Sequence, residues 1–92
     1  MIQVGTIIET QAVKWEFDDS FRESCVARHM VGDHGENTHS DLRRSLAREG
    51  KLASVYSQGS KTLWVITYPA GDVTLLCTQK DLAAETASQP NE

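Results

Sequence analysis

Leu63-Trp64-Val65-Ile66-Thr67 is the stretch on which the reading of this chain turns. It is apolar on both sides of a two-residue alternation, which suits a central strand covered on each face rather than a half-solvated edge. Just before it, Lys51-Leu52-Ala53-Ser54-Val55-Tyr56 is a second β-leaning run, and Gly59-Ser60 between them reads as a hairpin turn. A third run, Val73 to Thr78, follows after Pro69-Ala70-Gly71-Asp72, another turn sequence. The spacing therefore predicts three consecutive strands over 52–56, 62–68 and 73–78.

Upstream the period changes. Phe21, Cys25, Val26, His29 and Met30 fall on one helical stripe, with Arg22, Glu23 and Arg28 outside it. Asp18 or Ser20 opens this helix as N-cap, and Gly32 supplies a left-handed stop. Thr38-His39-Ser40-Asp41 is a capping-box sequence ahead of a second helix, with Leu42, Leu46 and Ala47 as its apolar stripe and Gly50 as its end. At the N-terminus, Val4 to Ile8 and Ala12 to Phe17 read as two strands of a hairpin. In the second of these, Val13, Trp15 and Phe17 alternate with Lys14 and Glu16.

The order that results is ββααβββ. No βαβ crossover is visible, so the expected fold is α+β: an antiparallel sheet of four to five strands with two helices packed on one face. Ninety-two residues suffice for one domain. Residues 1–79 are expected to form it. Residues 80–92, without a periodic apolar pattern, are expected to be a partly disordered tail.

Hydrophobic residues make up 39% and charged residues 24%, the range of a folded globular chain. The formal net charge is −4; residues 1–79 hold eight basic and ten acidic side chains, net −2. Nucleic-acid binding by a global basic footprint is thereby disfavoured, and the mild acid excess suits solubility or docking on a basic partner. Neither a secretory leader nor a run of about 20 apolar residues is present, so a cytoplasmic protein without membrane partners is expected. Cys25 and Cys77 each sit in an apolar pattern and read as buried, reduced thiols.

Taken as a set, Phe17, Cys25, Arg28-His29, Gly32-Asp33-x-Gly35, Leu52-x-Ser54-x-Tyr56 and Leu63-Trp64-Val65-Ile66-Thr67 resemble a family of small bacterial proteins carried on plasmids and phages. The resemblance implies a genetic setting and no catalytic residues. It differs in two places: His34 stands where an aromatic is common, and Arg43, Arg44 and Arg48 stand in a stretch that is more acidic elsewhere in the family.

The residues that could carry chemistry do not assemble into a signature. His29, His34 and His39 recur every fifth residue, which matches no zinc pattern, so no metal and no cofactor are expected. Cys25 and His29 are i,i+4 on one helix, but on the stripe that faces the core, where a thiolate would not form. Asp33, Glu36 and Glu23 are loop or surface acids with no fixed separation. Gly32-x-x-Gly35 lacks the strand before and the Lys-Ser/Thr after that a phosphate loop needs. No enzyme is expected.

What remains is recognition. Arg43, Arg44 and Arg48 leave the apolar stripe of their helix free, and the polar Asp33-His34-Gly35-Glu36 loop lies beside them in sequence. Trp15, near an edge strand, reads as a core residue, and is a further anchor if it is exposed. The expected function is a non-enzymatic mobile-element protein that binds and inhibits a host protein or nucleoprotein defence complex, of anti-CRISPR or anti-restriction type. The alternative is a small nucleic-acid-binding regulator using Arg43, Arg44 and Arg48, although a helix-turn-helix fits poorly because 32–37 is too long a turn.

Overall fold

The computed structural model describes residues 1–36 and 39–82. Their elements run β1 (Thr6–Glu9), α1 (Gln11–Glu16), α2 (Asp19–Met30), α3 (Ser40–Arg48), β2 (Leu52–Gln58), β3 (Lys61–Thr67) and β4 (Val73–Thr78), and a further helical turn begins at Gln79. The four strands form one mixed sheet in the order β1-β4-β3-β2. Strands β2, β3 and β4 are antiparallel neighbours, and β1 pairs parallel to β4. The α+β class and the interior position of β3 are as the sequence leads one to expect.

The two-sided apolar character of β3 decides how the helices are distributed. Leu63 and Val65 point to one face, Trp64 and Ile66 to the other, and all four are buried. A strand that is apolar on both faces needs cover on both. Cys25 of α2, with Val13 and Phe17 of α1, packs against Tyr56, Leu63, Val65 and Leu76. Leu46 of α3 and Leu82 pack with Ala53, Val55, Trp64, Ile66 and Cys77 on the opposite face. The expectation of two helices on one face is thus corrected: α2 and α3 take one face each. Phe21 and Cys25 lie on the α2 side of β3, and Leu46 lies on the other.

The second correction concerns residues 11–16, which form a helix and not a strand. Thr10 is its N-cap, with the hydroxyl accepting from the Val13 amide at 3.2 Å. Val13 and Phe17 both reach the core, and a spacing of four satisfies a helical stripe as well as a strand alternation. Because no hairpin forms there, β1 finds its partner in β4, and the sheet is not wholly antiparallel.

Local signals explain the remaining boundaries. Asp18 caps α2, accepting from the Phe21 amide at 2.8 Å. Gly32 follows the end of α2 with φ +86, a conformation glycine adopts without steric cost. The N-cap of α3 is His39, left-handed and without a side-chain cap; Thr38, the residue expected to cap it, lies outside the described residues. Packing also continues beyond residue 79. Asp81 bonds Thr10 at 2.6 Å and the Thr78 amide at 3.1 Å, and Leu82 is buried. The rest of the expected tail, 83–92, lies outside the described residues. Among the described residues no helix is long and apolar enough to cross a membrane.

Candidate functional site

Two places stand out, one buried and one exposed. The buried one begins with His29, fully enclosed on the inner face of α2. Opposite it the strand alternation delivers three hydroxyls to the same face: Ser54 from β2, Thr67 from β3 and Thr74 from β4. His29 Nδ1 lies 2.6 Å from Ser54 Oγ, and Nε2 lies 2.8 Å from Thr67 Oγ1. Thr67 Oγ1 is 2.8 Å from Thr74 Oγ1, which donates to the carbonyl of Val4 at 2.8 Å. At the other end, His34 Nδ1 is 2.8 Å from the same Ser54 oxygen.

Counting protons orients this whole chain. Each hydroxyl has one hydrogen to give. Thr74 spends its hydrogen on the Val4 carbonyl, so Thr67 must donate to Thr74. With the Thr67 hydrogen used, His29 Nε2 must be the N–H that donates to Thr67. Burial, with His34 close by, pushes the His29 pKa down to about 4, so the ring is neutral near pH 7 and Nδ1 is bare. Ser54 therefore donates to Nδ1, and His34 Nδ1–H donates to Ser54. Every bond runs one way, from the half-buried His34 to the Val4 carbonyl.

The loop carrying His34 is laced to its surroundings. Asp33 pairs with Arg28 Nε at 2.7 Å, and its other oxygen accepts from the Gly35 amide at 3.1 Å. The hydrogen bond from Arg28 and that from Gly35 hold the Asp33 carboxyl below its ordinary value. The Arg28 guanidinium sits over the Tyr56 ring, 4.6 Å from its centroid, and the Tyr56 hydroxyl donates to the Asp33 carbonyl at 2.5 Å. Residues 34–36 run along the outer edge of β2: the Val55 amide donates to the His34 carbonyl at 3.0 Å, and the Glu36 amide donates to the Val55 carbonyl at 2.9 Å. Gly35 makes that approach feasible, since a Cβ there would lie 1.8 Å from the Val55 oxygen. Arg43 of α3 donates to the Glu36 carbonyl.

This arrangement orients and holds, and its nucleophilic candidates are enclosed. Ser54 is fully buried. Burial also pushes the Cys25 thiol up to about 12, so it stays protonated. Cys25 and Cys77 sit in clusters on opposite faces of the sheet. His29 spends both ring nitrogens on hydroxyls. Among the described residues no group of three or more His, Cys, Asp or Glu is arranged to hold a metal ion.

The exposed place is Trp15, with 87% of its surface open to solvent. Val13 and Phe17 turn inward from α1, so the residue between them turns out. The segment around it is acidic: residues 9–23 hold Glu9, Glu16, Asp18, Asp19 and Glu23 against Lys14 and Arg22. Arg22 is turned inward on this segment, pairing with Glu9 Oε2 at 2.8 Å and with Asp19, and donating to the Phe17 carbonyl at 2.7 Å.

The expected recognition residues therefore separate into three groups. Arg43, Asp33, His34 and Glu36 are brought together, but as parts of the loop's own framework. Arg44 and Arg48 are exposed one turn apart on α3, Arg44 beside Asp41 at 3.4 Å. Trp15 belongs to α1, which packs on the other face of the sheet from α3. Ser54, Thr67 and Thr74 were missed as partners of His29. Their signal was available: each shares, by two-residue alternation, the face of its strand that carries Tyr56, Val65 or Leu76. Comparison with protein-family models, curated proteins and solved structures gives no match.

Proposed function

We propose that this chain is a non-enzymatic binding protein of a phage or plasmid that docks on a host defence complex and inhibits it, in the manner of an anti-CRISPR or anti-restriction protein. The observation that carries the binding role is the exposure of Trp15. An indole in water forgoes the transfer energy of ~150–250 Å² of surface, an upper bound of about 4–6 kcal/mol at 25 cal/mol/Å² that docking would recover. Tryptophan is also among the residue types that dominate interface hot spots.

The acidic segment around Trp15 supports the choice of partner. Protein surfaces that handle nucleic acid are rich in Lys and Arg, because those side chains neutralise phosphates. An acidic segment that carries an exposed indole complements such a surface by charge and by cation–π contact. A nucleoprotein defence complex presents such surfaces. The mobile-element setting comes from the sequence resemblance.

A second reading draws on the exposed pair Arg44 and Arg48, which would contact phosphates as a small nucleic-acid-binding regulator. The net charge of −4 weighs against it. The test is paired affinity capture from a nuclease-treated host lysate with the parent chain and Trp15→Ala as baits. A subunit of a defence complex held by the parent and lost by the variant is the expected result. Nucleic acid recovered equally by both, from an untreated lysate, would overturn it in favour of the regulator.

A further inference from the structure

We propose that residues 33–36 form an acid-releasable strap over the outer edge of β2. Acid would detach it by inverting one hydrogen bond in the relay that joins His34 to His29. The two edges of the sheet differ in this respect. Strand β1 ends the sheet on one side, whereas β2 on the other side has residues 34–36 bonded along it through both polar groups of Val55. A covered edge is one that cannot pair with another chain, and removing the cover creates a strand-addition site.

The relay supplies the trigger. His29 Nε2 already carries a hydrogen, given to Thr67, so a second proton can enter only at Nδ1. There it meets the Ser54 hydroxyl, which donates into that same position at 2.6 Å. Ser54 must then turn its hydrogen away, and two imidazole N–H groups, from His29 and His34, converge on one oxygen. The rings are 5.9 Å apart between centroids, so a positive charge on either opposes one on the other. His29 is locked inside α2, while His34 sits half-buried on a loop, so His34 is the ring that can leave.

The other groups facing His29 do not relieve this. On α2 its neighbours are the protonated Cys25 and Arg28, whose charge is committed to Asp33. Asp33, in the adjoining loop, has both oxygens bound, to Arg28 and to the Gly35 amide. From the strands it meets Ser54, Thr67 and Thr74, which are uncharged, and Tyr56, whose ionisation burial opposes. Departure of His34 takes with it the carbonyl that accepts from the Val55 amide.

Native-state hydrogen exchange on the full chain at pH 7 and pH 4, at several low urea concentrations, tests this. Protection of the Val55 and Glu36 amides, corrected for intrinsic rate, is expected to fall about tenfold or more at pH 4. That exchange should be insensitive to urea, as suits a small local opening. Ser54→Ala should make the same two amides labile already at pH 7. His34→Ala, a change outside the core, should do likewise and serves if the serine variant does not fold. The proposal is overturned if at pH 4 the two amides exchange only through the urea-dependent opening shared with the β3–β4 ladder. It is equally overturned if either folded variant keeps the parental protection at pH 7.

Discussion

The Nδ1 of His29 and the Oγ of Ser54 lie 2.6 Å apart in the buried interior between α2 and the sheet, with the serine as donor. A neutral imidazole is thereby built into the fold. The interior accepts His29 as a bare nitrogen on one side and an N–H on the other, and a second proton has no place there.

Stability should therefore depend on pH through this residue. His29 titrates at 6.5 unfolded and at about 4 in the fold. Its folded value is depressed, so between those limits the unfolded chain binds a proton that the native state refuses. The stabilisation is fully present above pH 7, falls as pH drops through 6.5, and levels off below 4. The loss by pH 4.5 is about 2.5 kcal/mol. Asp33 and Asp81 act in a separate window, since their folded values lie below 3.8 and their contribution is lost only on further acidification. Urea unfolding at pH 7.5 and 4.5 measures the difference, and equal midpoints would exclude a buried neutral His29.

Trp64 should be the costliest single truncation. It is fully buried under α3 and donates its indole N–H to Gln79 at 2.8 Å. Trp64→Ala removes that packing and leaves a cavity, at about 3–5 kcal/mol. Thermal or urea unfolding of the variant reads this directly. A loss under 1 kcal/mol would contradict the placement of β3 at the centre.

Much of this was legible beforehand. The two-sided run Leu63 to Ile66 announced a central strand, and Asp18 and Gly32 marked both ends of α2, because each of those signals is local. Residues 12–17 misled for a physical reason. Val13 and Phe17 are four apart, which suits period 2 and period 3.6 alike, and only the Thr10 cap breaks the tie. The side of the sheet that each helix takes was not readable from stripes on the helices themselves. It followed from β3, whose two apolar faces each require a cover. The His29 relay was hidden because its members are contributed by α2 and three separate strands, which are joined only by the tertiary register.

The three arginines of α3 should part company on mutation. Arg43 is half-buried and donates to the Glu36 carbonyl, so Arg43→Ala should cost about 1 kcal/mol and loosen the 33–36 loop. Arg44 and Arg48 stand in solvent, and their alanine variants should stay within about 0.5 kcal/mol of the parent. Chemical unfolding of the three single variants separates them. Equal costs would mean that Arg43 is as solvated as the others.

On the proposed function Trp15 carries the binding role, and its truncation is the most direct trial of it. The side chain is 87% exposed, so Trp15→Ala should leave the melting temperature and unfolding free energy within about 0.5 kcal/mol of the parent. An indole hot spot is worth ~2 kcal/mol or more at an interface, about a thirtyfold change in affinity. Calorimetric titration of the captured partner with parent and Trp15→Ala measures it. A Kd weakened at least thirtyfold in a fully folded variant is the predicted result; an unchanged Kd would show that α1 is a bystander and contradict the proposed binding face.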